Sequence, residues 1–294
     1  MSNIVLDSAT QQNLLALQNI NTQLGTTQSH LATGNAVNSA TDDAVKYFQA
    51  QSLTSRADDL STRKDSISQG IQSLTAATNG ISSVVSILQQ MEGVVNGAAT
   101  QTGAQRTSAM QQFDTLGQQL STLLNDTSYQ GLNLINSTAS NLTLQFSITS
   151  TSKMKITGQN LLFSKLVTQG HVSSGSFGGV KGSAAGSKLG SVGWAAVSNH
   201  ISMFTNIYNS LQTAVFKAQA AAQSLGTNVN FLQTRLSFTQ QYMTTLNGGA
   251  SDLTVADVNQ ESTNLVTLQT RQQLAIQSLS IATQSQQAVL RLFG

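Results

Sequence analysis

The chain has 294 residues and a formal net charge of +2, yet only 9% of them are Asp, Glu, Lys or Arg, far below the roughly 25% usual in soluble domains. It contains no cysteine, which excludes a disulfide framework, a thiolate zinc site and a cysteine nucleophile. Its 14 Lys and Arg residues form no run, so neither nucleic acid nor membrane is an expected partner, and no stretch approaches the ~18 apolar residues of a membrane span.

The start, MSNIVLDSATQQNLLALQNI, lacks the basic, apolar and small-residue pattern of a Sec signal, so any export is expected by another route. Leu14, Leu17, Asn21, Leu24, Gln28 and Leu31 recur at steps of three and four, which predicts a first helix with a polar-interrupted seam. GNAVNSATDD (34–43) breaks it. There Ser39 and Asp42 have the spacing of a capping box, with the carboxylate near the positive end of the next helix.

That next helix is long. Leu53, Ala57, Leu60, Lys64, Ile67, Ile71, Leu74, Thr78, Ile81, Val85, Leu88, Glu92 and Val95 keep a seven-residue repeat, and Phe113, Leu116, Leu120 and Leu123 mark a shorter one behind it. The chain has no proline where average usage implies roughly fifteen, which favours uninterrupted helices. From Leu142 the period changes to two: Leu142, Leu144, Phe146 and Ile148 alternate with polar residues, as in a half-buried strand. Eight glycines between Gly170 and Gly193 then predict exposed, loop-rich chain.

Heptad spacing returns from Ile201 through Phe204, Tyr208, Leu211, Val215, Ala218, Ala222, Leu225, Val229, Leu232, Leu236, Thr239 and Met243 to Leu246. This arm is the natural partner of the first long helix. NGGASDLTVAD (247–257) predicts a second break. Beyond it, Leu265, Leu268, Gln272, Ala275, Leu279, Ala282, Gln286 and Val289 form a weak seam like that of the first helix. A seam so rich in amides holds an isolated pair poorly, and fits better where many copies pack together.

Residues that could carry chemistry have plainer explanations. His30, His171 and His200 have no acidic or histidine partner at metal-ligand spacing, so packing or surface roles are expected. GSAAGSK (182–188) has the wrong glycine spacing for a phosphate loop. Asn136 and Asn141 head N-x-S/T sequons of the kind a Ser/Thr-rich chain produces by chance. Asp42, Asp43, Asp257 and Glu261 lie near predicted helix starts, where carboxylates cap and offset the dipole. No catalytic, cofactor or metal site is expected.

Four segments, in order, resemble the bacterial flagellins. LATGNAVNSATDDA (31–44) is similar to the family's link between its terminal and first long helices, with Ala40, Asp42, Asp43 and Ala44 in place. TSYQGLNLI (127–135) resembles its aromatic, amide, glycine and leucine element through Tyr129, Gln130, Gly131, Leu132 and Leu134. LTVADVNQES (253–262) is similar to the acidic opening of its C-terminal helix, and QLAIQSLSIATQSQQAVLRLFG (273–294) to its terminus, above all the short alphaproteobacterial kind. The likeness spans about residues 1–140 and 201–294. Two departures stand out: the basic residue usual after the first glycine is absent at Asn35 and Ala36, and a proline common near the C-terminus is replaced around Gln286.

The resemblance implies a mainly α fold, a long antiparallel helical coiled-coil bundle built from both chain ends, with a small β-containing outer module. Its expected organisation is an N-terminal inner helix (1–33), the N-terminal part of a helical second layer (34–140), a variable outer module (141–200), the C-terminal part of the second layer (201–250) and a C-terminal inner helix (251–294). It implies a non-enzymatic subunit of the flagellar filament, exported unfolded, assembled at the tip and located outside the cell. The implied partners are further copies of the chain, the export machinery with its chaperone, and the hook-associated and cap proteins. Expected polymerisation contacts are Leu14, Leu17, Leu24, Leu31, Leu265, Leu268, Leu279, Val289, Leu290, Leu292 and Phe293. Rival readings are a hook-filament junction protein and a free helical adhesin or secreted enzyme. In many family members a basic pair on the second-layer helix engages a Toll-like innate receptor; Gln89 and Met91 stand at those places here, beside a retained Glu92, which implies weak activation.

Overall fold

The structure, a computed structural model, describes residues 8–147, 151–162, 166 and 200–293. In order these form α1 (Ser8–Thr33), α2 (Ala44–Ala99), α3 (Gly103–Asp126), β1 (Asn141–Gln145), β2 (Lys153–Thr157), α4 (His200–Thr254) and α5 (Val258–Phe293). They divide into two compact units, Met1–Asp58 with Met243–Gly294 and Asp59–Tyr242. Expectations falling on Ile148, His171 and the glycine-rich stretch lie outside the described residues.

The seven-residue pattern of α2 is the core of the larger unit. Ile67, Leu74, Ile81 and Leu88 are completely buried, as are Leu120 and Leu124 of α3 and Leu211 and Leu232 of α4, and all belong to one apolar cluster. The buried stripe is wider than the seam, because Val84 and Met91 of α2 and Ile207, Ala214 and Ala221 of α4 join it. A helix sharing a core with several partners needs that broader face, about 100° or more, where a two-stranded coiled coil needs only a narrow line. Of the two positions aligned with the receptor-engaging pair, Gln89 is exposed and Met91 is buried in this core.

Arg106, one turn into α3, donates from Nε to Ala98 O (3.2 Å) and from Nη2 to Ala99 O (3.4 Å), while its guanidinium lies 5.7 Å from the centre of the Phe204 ring. It thus ties off carbonyls that the end of α2 leaves without helical donors. The chain leaves α3 through a two-residue turn in which Gln130 (φ 51°) and Gly131 (φ 79°) are both left-handed, and Tyr129 and Leu132 exchange backbone hydrogen bonds of 3.0 Å. Two consecutive positive φ values are the signature of a type I′ turn, which explains why an amide and a glycine stand there.

Beyond the turn, β1 and β2 pair antiparallel, Leu142 opposite Ile156 and Leu144 opposite Met154. Leu144, Phe146 and Ile156 belong to the helical cluster, and a Cβ on Gly70 of α2 would fall 2.6 Å from Leu144 Cδ1. Gly70 is small because the hairpin lies on that face of α2. Phe146 sits edge-on to Phe231 at 6.1 Å, with the Arg235 guanidinium 5.0 Å from its ring centre. The hairpin is therefore part of the core of this unit; β2 was missing from the sequence reading, which had only its partner strand.

Asn133 is the buried polar anchor of this region. Its Nδ2 donates to Leu124 O (2.6 Å) and Asn125 O (3.3 Å) at the end of α3, and its Oδ1 accepts from the N–H of Ile135 (3.0 Å) and of Asn136 (3.1 Å). One amide satisfies four backbone groups. Asn133→Ala should leave them without these partners and lower the stability of the chain by about 1–3 kcal/mol in denaturant unfolding; a loss under about 0.5 kcal/mol, the range of an ordinary surface change, would contradict that role.

Candidate assembly surface

In the smaller unit, α1 and α5 pack against each other as an antiparallel pair. Among the described side chains, the half-buried or buried positions of α1 are Thr10, Asn13, Leu17, Ile20, Leu24, Thr27, His30 and Leu31, and those of α5 are Glu261, Leu265, Leu268, Gln272, Ala275, Leu279 and Ala282. Two cross-links set the register: His30 Nδ1 lies 3.1 Å from Glu261 Oε1, and Gln272 Nε2 donates to Asn21 Oδ1 at 2.7 Å. Leu24 accordingly stands opposite Leu268, and Leu14 near Leu279. The amides that interrupt both seams thus answer one another at Asn21 and Gln272.

His30 has an acidic partner after all. The pairing is invisible in sequence because the two residues are 231 positions apart. His30 ends α1 and Glu261 opens α5, so each also sits at the helix end whose dipole suits it when charged. The side chains are 16% and 18% exposed, and they line a groove of about 430 Å³ with Thr22, Thr26, Thr27 and Arg271.

The two connectors close this unit. Ala36 and Val37 donate to Thr254 O at 2.7 and 3.2 Å, and Ala256 donates to Gly34 O at 2.9 Å, so the break after α1 is stitched to the break before α5. Gly34 is left-handed (φ 74°) and donates to His30 O, terminating α1. The second break is shorter than expected: α4 runs through Asn247, Gly248 and Gly249 to Thr254. Two helix-interior glycines disfavour this by about 1 kcal/mol each. Flanking Leu246 and Ala250 are buried, and a Cβ at Gly249 would be only 3.5 Å from Leu53, so close packing holds the helix through the glycines.

The carboxylates divide the capping work differently from the sequence pattern. Asp43 is the N-cap of α2, its Oδ1 accepting from Lys46 N at 3.0 Å. Asp42 instead closes the turn before it: its Oδ2 accepts from Asn38 N (3.0 Å), Ser39 N (2.9 Å) and the Ser39 hydroxyl (3.0 Å). Ser39 therefore caps no helix. Asp257 caps α5 through the N–H groups of Asn259 and Gln260, and Glu261 in the first turn reaches His30.

The expected polymerisation contacts are spread over different surroundings. Leu17, Leu24, Leu31, Leu265, Leu268 and Leu279 lie on the seam between α1 and α5, while Leu14 is 40% exposed. The side chains of Val289, Leu290, Leu292 and Phe293 lie outside the described residues. Sequence reading passed over a second set of exposed apolar residues, Leu15, Val266, Leu274, Ile276 and Ile281 in this helix pair and Val45 and Phe48 on α2. Their signal in the sequence is apolar residues that lie off the seven-residue seam. Among the described residues no group of three or more His, Asp or Glu could hold a metal, and no helix is long and apolar enough to cross a membrane.

Residues 4–140 match the model of the bacterial flagellin N-terminal helical region, and residues 208–293 that of the flagellin C-terminal helical region. The chain belongs to the bacterial flagellin family. It is similar along nearly its whole length to flagellins of other bacteria. Flagellin FljO of Caulobacter vibrioides is 28% identical over 285 residues, 95% of each chain, and Flagellin C of Rhizobium meliloti 25% over 323, covering 100% of this chain and 99% of that one. A solved Vibrio parahaemolyticus chain described as a flagellar hook-associated protein is alike in fold, with a TM-score of 0.57 over 73% of this chain and 100% of that one at 11% identity. That likeness concerns the fold alone and lends the hook-junction reading no advantage. As a flagellin the chain is a structural subunit that polymerises into the flagellar filament.

The Asp42 turn of this flagellin should be sensitive to acid. The Asn38 N–H foremost, then the N–H and hydroxyl of Ser39, hold its carboxyl below the usual value of 3.8. A depressed carboxyl stabilises the folded connector above the unfolded value, and that contribution is lost as pH falls through the folded one. Amide exchange at Asn38 and Ser39 should accelerate as pH drops below about 4 relative to neighbouring turns, and Asp42→Ala should show the fast exchange already at pH 7. Equal exchange in parent and variant at pH 7 would contradict this.

Proposed function

We propose that this flagellin leaves the cell unfolded through the flagellar export channel with the help of a chaperone, and folds at the distal tip beneath a cap protein, beyond the hook-associated proteins. Its place is then extracellular and its role mechanical, with no catalysis. The observation that carries this reading is the pairing of α1 with α5, which joins residues about 230–250 positions apart. Such a unit cannot form until nearly all of the chain has emerged, as tip assembly requires. The absence of cysteine and proline suits the route, since nothing can crosslink in transit and no prolyl isomerisation delays folding on arrival.

In this reading the segments 1–33 and 251–294 form the inner part of the filament and 34–140 with 201–250 its second layer, with 141–200 as the variable module. Leu14, Leu17, Leu24, Leu31, Leu265, Leu268 and Leu279 then stabilise the inner helices as they assemble. Val289, Leu290, Leu292 and Phe293 bury against neighbouring subunits. Electron microscopy of the purified chain tests it: long filaments are expected, and a monodisperse species would overturn the assignment. Replacing Leu290, Leu292 and Phe293 together by Ser removes about 1.5–3 kcal/mol of burial per side chain and should abolish filaments while the larger unit keeps its helices by circular dichroism. Filaments of ordinary length at ordinary concentration would count against those contacts.

The inner helices should become stable only on assembly. Among the described side chains of α1 and α5, only Thr10, Thr27 and Leu268 are buried, too little to offset the entropy of ordering both helices. Hydrogen exchange should find residues 10–30 and 265–290 weakly protected in monomer and strongly protected in filament. Strong protection in the monomer would refute the idea.

A further inference from the structure

The groove beside His30 is lined by α1 and α5 alone, and both of its walls follow from helical spacing. Gln23, Thr27 and His30 stand four and three residues apart on α1, and Glu261, Asn264, Leu268 and Arg271 three, four and three apart on α5, so each set shares one helix face. Thr27 differs from the other threonines of the lining. Thr22 and Thr26 on α1 and Thr267 on α5 each donate the hydroxyl to the carbonyl four residues earlier. Thr27 is only 6% exposed, lines the groove, and its hydroxyl has no hydrogen-bond partner among the described residues. Side-chain polar groups buried that deeply are satisfied as a rule, because a bare one has lost its water and gained nothing in return. The side-chain amides of Gln23 and Asn264 and the guanidinium of Arg271 are also without partners among the described residues.

The lining offers both signs of charge and both hydrogen-bonding roles. Glu261 and Arg271 are about 15 Å apart along α5 at 1.5 Å per residue, so the groove as a whole favours neither an anion nor a cation. The two amides and the Thr27 hydroxyl can each donate and accept, Arg271 donates, and Glu261 keeps one oxygen that His30 does not use. A hydroxyl group, which also donates and accepts, matches that set, and Leu268 adds an apolar patch. The volume of about 430 Å³ falls within the range of small-ligand sites, with room for one or two sugar rings. We propose that this groove binds a neutral polyhydroxylated small molecule, a mono- or disaccharide, through Gln23, Thr27 and Asn264. The site is complete within one chain and does not depend on polymerisation.

Maltose is the probe. Because it binds only where α1 and α5 are paired, it should slow amide exchange at residues 20–31 and 260–272 of the monomer at least about threefold at about 100 mM, and more than in the larger unit. Thr27→Val, which keeps the branched shape and removes the hydroxyl, and Asn264→Ala should each abolish most of that slowing. Equal slowing in parent and both variants overturns the proposal, because sugars also stabilise proteins by general exclusion from their surfaces. No slowing by maltose overturns it too, as does slowing by glucuronate or glucosamine alone, which would make the ligand a charged one. None of these results bears on the filament assignment.

Discussion

The pairing of the two connectors governs how the smaller unit is built. Three backbone hydrogen bonds join Gly34, Ala36 and Val37 to Thr254 and Ala256, and they bring two helices from opposite ends of the chain side by side. The left-handed Gly34 stops α1 where the clasp begins, and the Asp257 cap starts α5 where it ends. The His30–Glu261 and Asn21–Gln272 links fix the register along the rest of the pair.

The larger unit has a different source of order. Its seven-residue repeats bury large aliphatic side chains completely, and its polar connections serve to end helices cleanly. Arg106 collects carbonyls at the end of α2, Asn133 does the same for α3, and the Gln130–Gly131 turn reverses the chain with Tyr129 and Leu132 paired across it. The contrast suits a filament subunit. The larger unit buries its large aliphatic side chains deeply, while Leu15, Val266, Leu274 and Ile281 of the smaller unit's helix pair stay exposed.

Reading from sequence worked where the information was local. The stripes of α2 and α4 repeat within a few turns, so periodicity alone showed these helices, the seam of their core and the strand that the structure places at Asn141–Gln145. It failed where the answer lay far along the chain or in the packing around a residue. His30 seemed isolated because Glu261 is distant in sequence; Asn247, Gly248 and Gly249 looked like a break because propensity favours one, but packing beside Leu53 carries α4 through them. Met91 aligned with a surface residue, yet the broadened stripe of α2 buries it. Ser39 and Asp42 had the spacing of a helix cap, and the chain placed them one turn too early, leaving Asp43 to start the helix.

The sequence by itself determined that this chain is helical at both ends, weakly charged and free of cysteine and proline, because each of these is a property of composition or of a repeat of about two turns, and four ordered segments carried its resemblance to the flagellins. Only the tertiary structure decided which apolar residues face inward and which are left over. Leu268 and Leu274 look equivalent in a list of leucines, six positions apart on one helix, but the clasp turns the first towards α1 and the second away from it. That distinction depends on where α1 lies, and the position of α1 is set by hydrogen bonds between segments more than 200 residues apart.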